Sequence, residues 1–390
     1  MSMKDGEEET EGAAMSMKAN KRLQTVKKGE VESAAMWTRT KKSKEIVMSY
    51  LPDHVVVGIL LNLPVKSLLR FKCVSKAWRS LISEPDFIKA HLDFQRRYER
   101  LLMNSSLGHC LYSINLEPRI INDIEAIKIS DIPDMESKWF QIIGSCNGLL
   151  CISTSHTHLY IVNPSTRVSK KVPDHPGLKL FAIQGFGYDH TVDDYKLLNG
   201  DQDDFHMYSL KTNSWKKVES CFPRSSIVRR YGTSLNGAIH WVCNEHDTNQ
   251  HQQYSYVIVA FSLADEKFSK IALPIQGLVD VGVFRGCLCM SRRRPNGEFW
   301  VMKKYGVTQS WTNVAIETLP FRIESLVLTN NDELLKNDEL LFRTGSKKFV
   351  LYNIREKTGR DLILPDTTIV GTEIKVGGYV ESLVSPIMGV

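Results

Sequence analysis

The chain has 390 residues, 42% hydrophobic and 24% charged, with a formal net charge of +6. This is the composition of an ordinary globular protein with room for two folded units and a tail. So small a charge makes no demand for nucleic acid, and no run approaches the roughly 18 uninterrupted apolar residues of a membrane span.

The first segment, residues 1–46, is polar. Acidic residues cluster at Asp5 to Glu11, and basic ones follow at Lys18 to Lys28 and Arg39 to Lys44. Low hydrophobicity with mixed charge predicts a disordered tail. The opening MSMKDGEEETEG has no apolar core and does not read as a secretory signal. Met-Ser-Met-Lys occurs at 1–4 and again at 15–18, which hints at an alternative start. The eight cysteines, at 73, 110, 146, 151, 221, 243, 287 and 289, form no CxxC pair. They read as reduced thiols of a cytoplasmic or nuclear protein.

Residues 47–92 hold three short helical patterns. Apolar residues at Leu51, Val55, Val56, Ile59, Leu60 and Leu63 make one helical stripe, and Pro52 suits a first turn. Pro64 ends that helix and opens a second, Val65 to Phe71, with Leu68 and Leu69 apolar. Ser75 is placed to cap a third, in which Trp78, Leu81 and Ile82 recur at helical spacing. So small a bundle cannot hide this many apolar side chains, and the surplus predicts a protein partner.

The ordered set Leu51-Pro52, Ile59-Leu60, Leu63-Pro64, Leu68-Leu69-Arg70, Cys73-Val74 and Trp78-Arg79 resembles an F-box. The resemblance implies docking on a Skp-family adaptor and, through it, cullin and RING subunits of an SCF-type ubiquitin ligase. Leu51, Pro52, Ile59, Leu60, Leu63, Pro64, Leu68, Leu69, Cys73, Val74 and Trp78 are the implied adaptor-binding residues. His54 stands where the family usually carries an acid, a departure that touches the helix-start dipole and leaves the apolar set intact. Residues 93–106 are read as a linker helix.

From residue 107 to 390 the sequence reads as a repeat array. Strand–turn–strand units recur at 159–172, 205–218, 259–271, 299–314 and 349–363. Their turns start near Asn163, Ser209, Ser262, Lys304 and Asn353, at intervals of 46, 53, 42 and 49 residues. Those intervals fit propeller blades. Aromatics seven apart, Tyr208 with Trp215 and Phe261 with Phe268, are expected to oppose each other across two hairpins. Glycine-bearing apolar strands fill the gaps, so that two strands plus a hairpin make a four-stranded blade. A sixth hairpin is placed at His109 to Ile129, with Gly377 to Val384 closing the ring beside it. Closure removes exposed sheet edges. The expected fold is therefore multidomain: a three-helix N-terminal module, then an all-β, kelch-like propeller of six blades. An open two-sheet structure or another blade count is the alternative.

The segments GSCNGLLCIS, NPSTR, GFGYDHTVDDYKLL, YSLKTNSWKKV, LNGAIHWV, IVAFSLADEKFSKIALP, WVMKKYGVTQSWT and YVESLVSP resemble the F-box-associated interaction domain of plant F-box proteins. The resemblance implies a domain that binds a protein substrate, without naming it.

The nucleotide-binding, nucleophile-elbow and zinc-protease signatures are missing. Asp189-His190 with Asp193-Asp194 reads as a polar hairpin tip rather than an acid–base pair. His156 and His158 lack a visible third metal ligand, and the same holds for His246, Asp247 and His251. Cys287 and Cys289 are expected to share one strand face and pack in the core. No catalytic residue, metal or cofactor is expected. The function predicted is an SCF substrate receptor that recruits a protein for ubiquitination and degradation. The alternatives are an F-box scaffold outside the ligase, or a kelch-type propeller enzyme. Arg229, Arg230, Tyr231, Arg292 and Arg293, in loops of one propeller face, are the expected substrate contacts.

Overall fold

The computed structural model describes residues 52–104, 110–115, 124–128, 140–154, 158–174, 182–201, 204–219, 225–228, 230–246, 254–292, 298–314, 325–327, 339–343, 349–362 and 376–387. The expected tail lies outside them. The chain divides into two compact units, Met1–Leu63 and Pro64–Val390, and each is taken by itself.

In the first unit, helix α1 (Asp53–Leu61) starts directly after Pro52, whose φ of −56° already suits a helix. Asp53 in the first turn supplies the negative charge that His54 does not. Asn62 ends the helix, its Nδ2 donating to the Gly58 carbonyl over 2.7 Å.

The second unit opens with α2 (Val65–Phe71), again behind a proline, Pro64. Helix α3 (Lys76–Ser83) is capped as its sequence predicts: Ser75 Oγ accepts the Trp78 N–H at 3.1 Å. Arg79 Nε donates to the Lys72 carbonyl at 3.2 Å and ties α3 to the end of α2. A fourth helix, α4 (Pro85–Gln95), extends the three that were expected; it starts on Pro85 and buries Phe87, His91 and Leu92. Residues 93–106 are not one linker helix. A single 3-10 turn (Arg96–Tyr98) follows α4, and then strand β1 (Arg100–Asn104) begins. The polar, charged run DFQRRYER offers no continuous apolar stripe to keep a helix going. Partners distant in sequence claim Arg100–Asn104 for a sheet instead.

After β1 come β2 (Cys110–Ile114) and β3 (Ile124–Lys128). Blade 1 is β4 (Phe140–Cys146), β5 (Leu149–Thr154), β6 (His158–Asn163) and β7 (Val168–Lys171). Blade 2 is β8 (Ile183–Asp189), β9 (Asp194–Asp201), β10 (Asp204–Ser209) and β11 (Ser214–Val218). In blade 3 the innermost strand is broken into β12 (Ser225–Ile227) and β13 (Thr233–Leu235), followed by β14 (Ala238–His246), β15 (Tyr254–Ser262) and β16 (Phe268–Ala272). Blade 4 is β17 (Val279–Phe284), β18 (Cys287–Arg292), β19 (Phe299–Met302) and β20 (Trp311–Val314). Blade 5 is β21 (Ser325–Val327), β22 (Glu339–Arg343), β23 (Phe349–Asn353) and β24 (Thr358–Leu362). Finally β25 (Val376–Tyr379) pairs with β1 and completes a sixth sheet, in the order β25-β1-β2-β3. The protein is thus a helical N-terminal region followed by a six-bladed β-propeller.

The core lies between successive blades. One cluster joins Leu102, Leu111 and Tyr379 of blade 6 to Phe140, Leu150 and Val162 of blade 1. Another joins Phe205 and Met207 of blade 2 to Trp241 and Phe261 of blade 3. The expected aromatic pairs form: Tyr208 opposes Trp215 with ring centroids 5.4 Å apart, and Phe261 opposes Phe268 at 4.8 Å. Cys289 is buried and Cys287 half-buried, as the strand reading expects; burial pushes the Cys289 thiol pKa well up.

Candidate protein-interaction surfaces

A helix can offer a partner only the apolar side chains it does not bury. On α1, Ile59 is 49% exposed, whereas Leu60, its neighbour in the motif, is 1% exposed. Pro52 is exposed and Leu63 half-buried. In the second unit Val74 is 65% exposed and Leu68 is completely buried. Pro64 and Cys73 are exposed; Leu69 and Trp78 are half-buried, and the Trp78 ring meets Phe71 edge-on at 5.2 Å. The expected adaptor set therefore splits by role. Leu60 and Leu68 are buried within the chain itself. Ile59, Val74, Cys73 and the two prolines present surface. Leu51 lies outside the described residues.

The propeller has two faces. The turns joining innermost to second strand, and third to outermost, lie on one face; the remaining connections lie on the other. Arg96, just past α4, donates from Nη2 to Asn147 Oδ1 at 2.9 Å, and Asn147 sits in the β4–β5 turn. The first strand of the propeller, β1, also starts from this side. Within the second unit, the turn that follows α4 thus meets the first face.

The expected substrate contacts that are described, Arg230, Tyr231 and Arg292, differ in setting. Arg230 and Tyr231 are not in a surface loop. They occupy the break in the inner strand of blade 3, where the chain leaves its own sheet and bridges to blade 2. The Gln184 N–H donates to the Arg230 carbonyl, and the Gly232 N–H to the Gln184 carbonyl, each at 2.8 Å. Trp241 Nε1 also donates to the Gln184 carbonyl, at 3.1 Å. The Tyr231 ring is half-buried against the apolar seam of blades 1 and 2, so it is engaged in packing. Arg230 is exposed. Arg292 ends β18 and pairs with Glu298 at 3.5 Å. Arg229 and Arg293 lie outside the described residues. Within blade 2, β9 runs to Asp201 and β10 starts at Asp204.

The polar tip of blade 2 is structural. Asp189 Oδ1 accepts from the Thr191 N–H at 2.9 Å and its hydroxyl at 2.6 Å, and Oδ2 accepts from Lys196 at 2.7 Å. Burial alone raises the Asp189 pKa; hydrogen bonds from Lys196 and Thr191, with the Lys196 charge, outweigh it and hold the carboxyl below its usual range. Asp194 accepts from Ser209 Oγ at 2.5 Å and from the Lys211 N–H at 2.9 Å. Tyr188 donates to Asp193. His158 faces Asp174 at 3.3 Å; His156, Asp247 and His251 lie outside the described residues. Among the described residues no three His, Cys, Asp or Glu side chains gather as a metal site, and no helix is long and apolar enough to cross a membrane.

Residues 48–90 match the F-box domain, and residues 100–385 match the F-box associated beta propeller domain. Among similar curated proteins, F-box protein CPR1 of Arabidopsis thaliana is 28% identical over 82% of this chain and 86% of its own length. The F-box/kelch-repeat protein At3g23880 of the same plant is 28% identical over 86% of this chain and 96% of its own. F-box protein At4g22390, also from that plant, is 28% identical over 72% of this chain and 77% of its own.

Proposed function

Because this chain belongs to the F-box proteins that carry an F-box-associated β-propeller, we propose that it is a substrate receptor of an SCF-type ubiquitin ligase. The helical region binds a Skp-family adaptor and thereby cullin and RING subunits. The propeller holds a protein target, which is ubiquitinated and passed to the proteasome. The receptor does no covalent chemistry itself; it raises the effective concentration of target lysines near the charged enzyme.

The observation that carries this reading is the pair of F-box positions left as exposed aliphatic surface, Ile59 at 49% and Val74 at 65%. Isolated exposed apolar residues are ordinary. At F-box motif positions they are the contacts this reading assigns to the adaptor. Leu51, Leu63, Leu69 and Trp78 complete the proposed adaptor surface, with Leu60 and Leu68 supporting it from inside. On the target side, Arg229, Arg230, Arg292 and Arg293 are proposed contacts, and Tyr231 is the packed residue that positions the first two.

Affinity purification followed by mass spectrometry tests the reading, comparing wild type with Ile59→Glu/Val74→Glu. The expected result is loss of adaptor and cullin from the double variant while a shared set of target proteins is kept. Adaptor recovered equally from both proteins overturns it. A target that binds but is not ubiquitinated in the reconstituted ligase favours the scaffold role instead.

A further inference from the structure

Two described β-hairpins join an innermost strand to its neighbour through Asn-Gly: Asn147-Gly148, with φ of 52° and 80°, and Asn236-Gly237, with φ of 51° and 71°. These are the residues such a turn favours, because both positions need a left-handed backbone. Blade 4 makes the same turn with Arg285-Gly286, at φ of 51° and 68°. A long side chain is strained in this conformation where asparagine is not. Arg167, Glu266 and Lys357 hold a left-handed backbone in other turns, at φ of 58°, 56° and 58°.

Arg285 is set apart by what it borders. A cleft of about 220 Å³ opens between blades 4 and 5, lined in part by Arg285. Phe284, Val301, Val314 and Ile354 give it apolar walls, continuous with the core between the two blades. Cys287 lines it and is half-buried. Lys303 is the second cation of the lining. The Arg285 guanidinium lies over the Phe284 ring, 5.4 Å from its centroid. Lys304 follows Lys303 in the described blade 4 turn, and Arg355, Glu356 and Lys357 follow Ile354 in that of blade 5. Glu339, at the same edge of blade 5, is taken by Arg360 at 3.0 and 3.2 Å.

We propose that this cleft docks an acidic linear segment of the target, one bulky apolar side chain entering between the blades while flanking carboxylates meet Arg285 and Lys303. Arginine suits the carboxylate because its fork binds two oxygens at once. The proposal rests on the receptor reading and adds a contact apart from Arg230 and Arg292.

The test uses the full chain co-expressed with its adaptor. The probe is a fluorescein-labelled hexapeptide in which leucine is flanked by glutamates, with a glutamine analogue and a leucine-to-serine analogue as controls. The expected result is saturable binding that weakens with salt and is about tenfold weaker for either analogue, or for Arg285→Asn or Lys303→Glu. Arg285→Asn also melts at a higher temperature, because it relieves the turn, so its lost binding is not lost folding. The bound peptide should shield Cys287 from maleimide, read by peptide mass spectrometry. No binding, binding indifferent to both substitutions, or an unshielded Cys287 overturns the proposal. So does binding that appears only once residues 1–46 are removed, which would give the cleft to the chain's own acidic stretch, Asp5 to Glu11. Target capture and adaptor binding that persist in Arg285→Asn leave the receptor reading standing while the cleft assignment falls.

Discussion

The side-chain amide of Asn163 donates to the main-chain carbonyl of Ser382 over 2.9 Å, and to that of Val384 over 2.7 Å. Its Oδ1 accepts the Ser165 and Thr166 N–H groups of its own turn at 2.9 and 3.2 Å. Next to it, Ser165 Oγ and the Tyr379 hydroxyl meet at 2.6 Å. One buried asparagine therefore shapes a blade 1 hairpin and clamps the C-terminal segment that closes the ring. Asn163→Ala strands buried polar groups on both sides, at a cost of about 1–3 kcal/mol or more for the set. The expected outcome is a clear drop in melting temperature and faster proteolysis after residue 375. Unchanged stability would mean the clamp is dispensable.

The split of the F-box leucines separates surface from interior. Leu68→Ala should cost about 2–5 kcal/mol of stability, as for other buried leucines. Val74→Glu should stay within about 0.5 kcal/mol, as an exposed position does. The order inverts for the adaptor: Val74→Glu abolishes co-purification from a protein that is still folded. Paired thermal melts and pull-downs check both halves.

His240 gives the propeller an acid-sensitive joint. Its Nδ1 meets the Thr233 carbonyl at 3.0 Å and its Nε2 the Tyr305 hydroxyl at 2.7 Å. Burial lowers its pKa to about 4, against the smaller opposing pull of the Thr233 carbonyl. The unfolded chain then binds the proton more readily than the folded one. Stability is complete above the unfolded value near 6.5 and is lost as pH falls through the folded value, by on the order of 3 kcal/mol at pH 4. Melting curves from pH 7 to 4 should show this slope in the wild type and a shallower one in His240→Gln.

Gly185 and Gly232 let the Trp241 indole reach the Gln184 carbonyl between blades 2 and 3. A methyl group at either position would run into Ile239 and the indole ring. Gly232→Ala should destabilise by about 1–3 kcal/mol through overpacking. Trp241 fluorescence during urea unfolding reads the loss directly.

The hairpins were legible because each is local. Asn163, Ser209, Ser262 and Asn353 announce their turns, and Tyr208 and Phe261 meet the partners their spacing predicts. The prolines and Ser75 likewise mark where α1, α2 and α3 start. The features that escaped depend on partners far along the chain. Arg100–Asn104, read as part of a linker helix, is strand because β25 and β2 flank it. Arg230 and Tyr231 read as loop because nothing nearby in sequence reveals Gln184 as their partner. Leu60 and Leu68 carry the same chemistry as Ile59 and Leu69, and only packing tells a buried leucine from a presented one. The seam cleft left one trace in the sequence, an Arg-Gly at a hairpin where Asn-Gly is the ordinary choice.

The pairing of β25 with β1 also sets an order of assembly during synthesis. The helices leave the ribosome first, and the outer three strands of blade 6 follow at once. Their inner strand is made last, after five whole blades, so until then β1 carries a bare edge. A transcript stopped anywhere between blade 1 and Val376 would encode the helices without a closed ring. In the proposed ligase such a fragment would occupy adaptor and deliver nothing, acting against the intact receptor in the same cell.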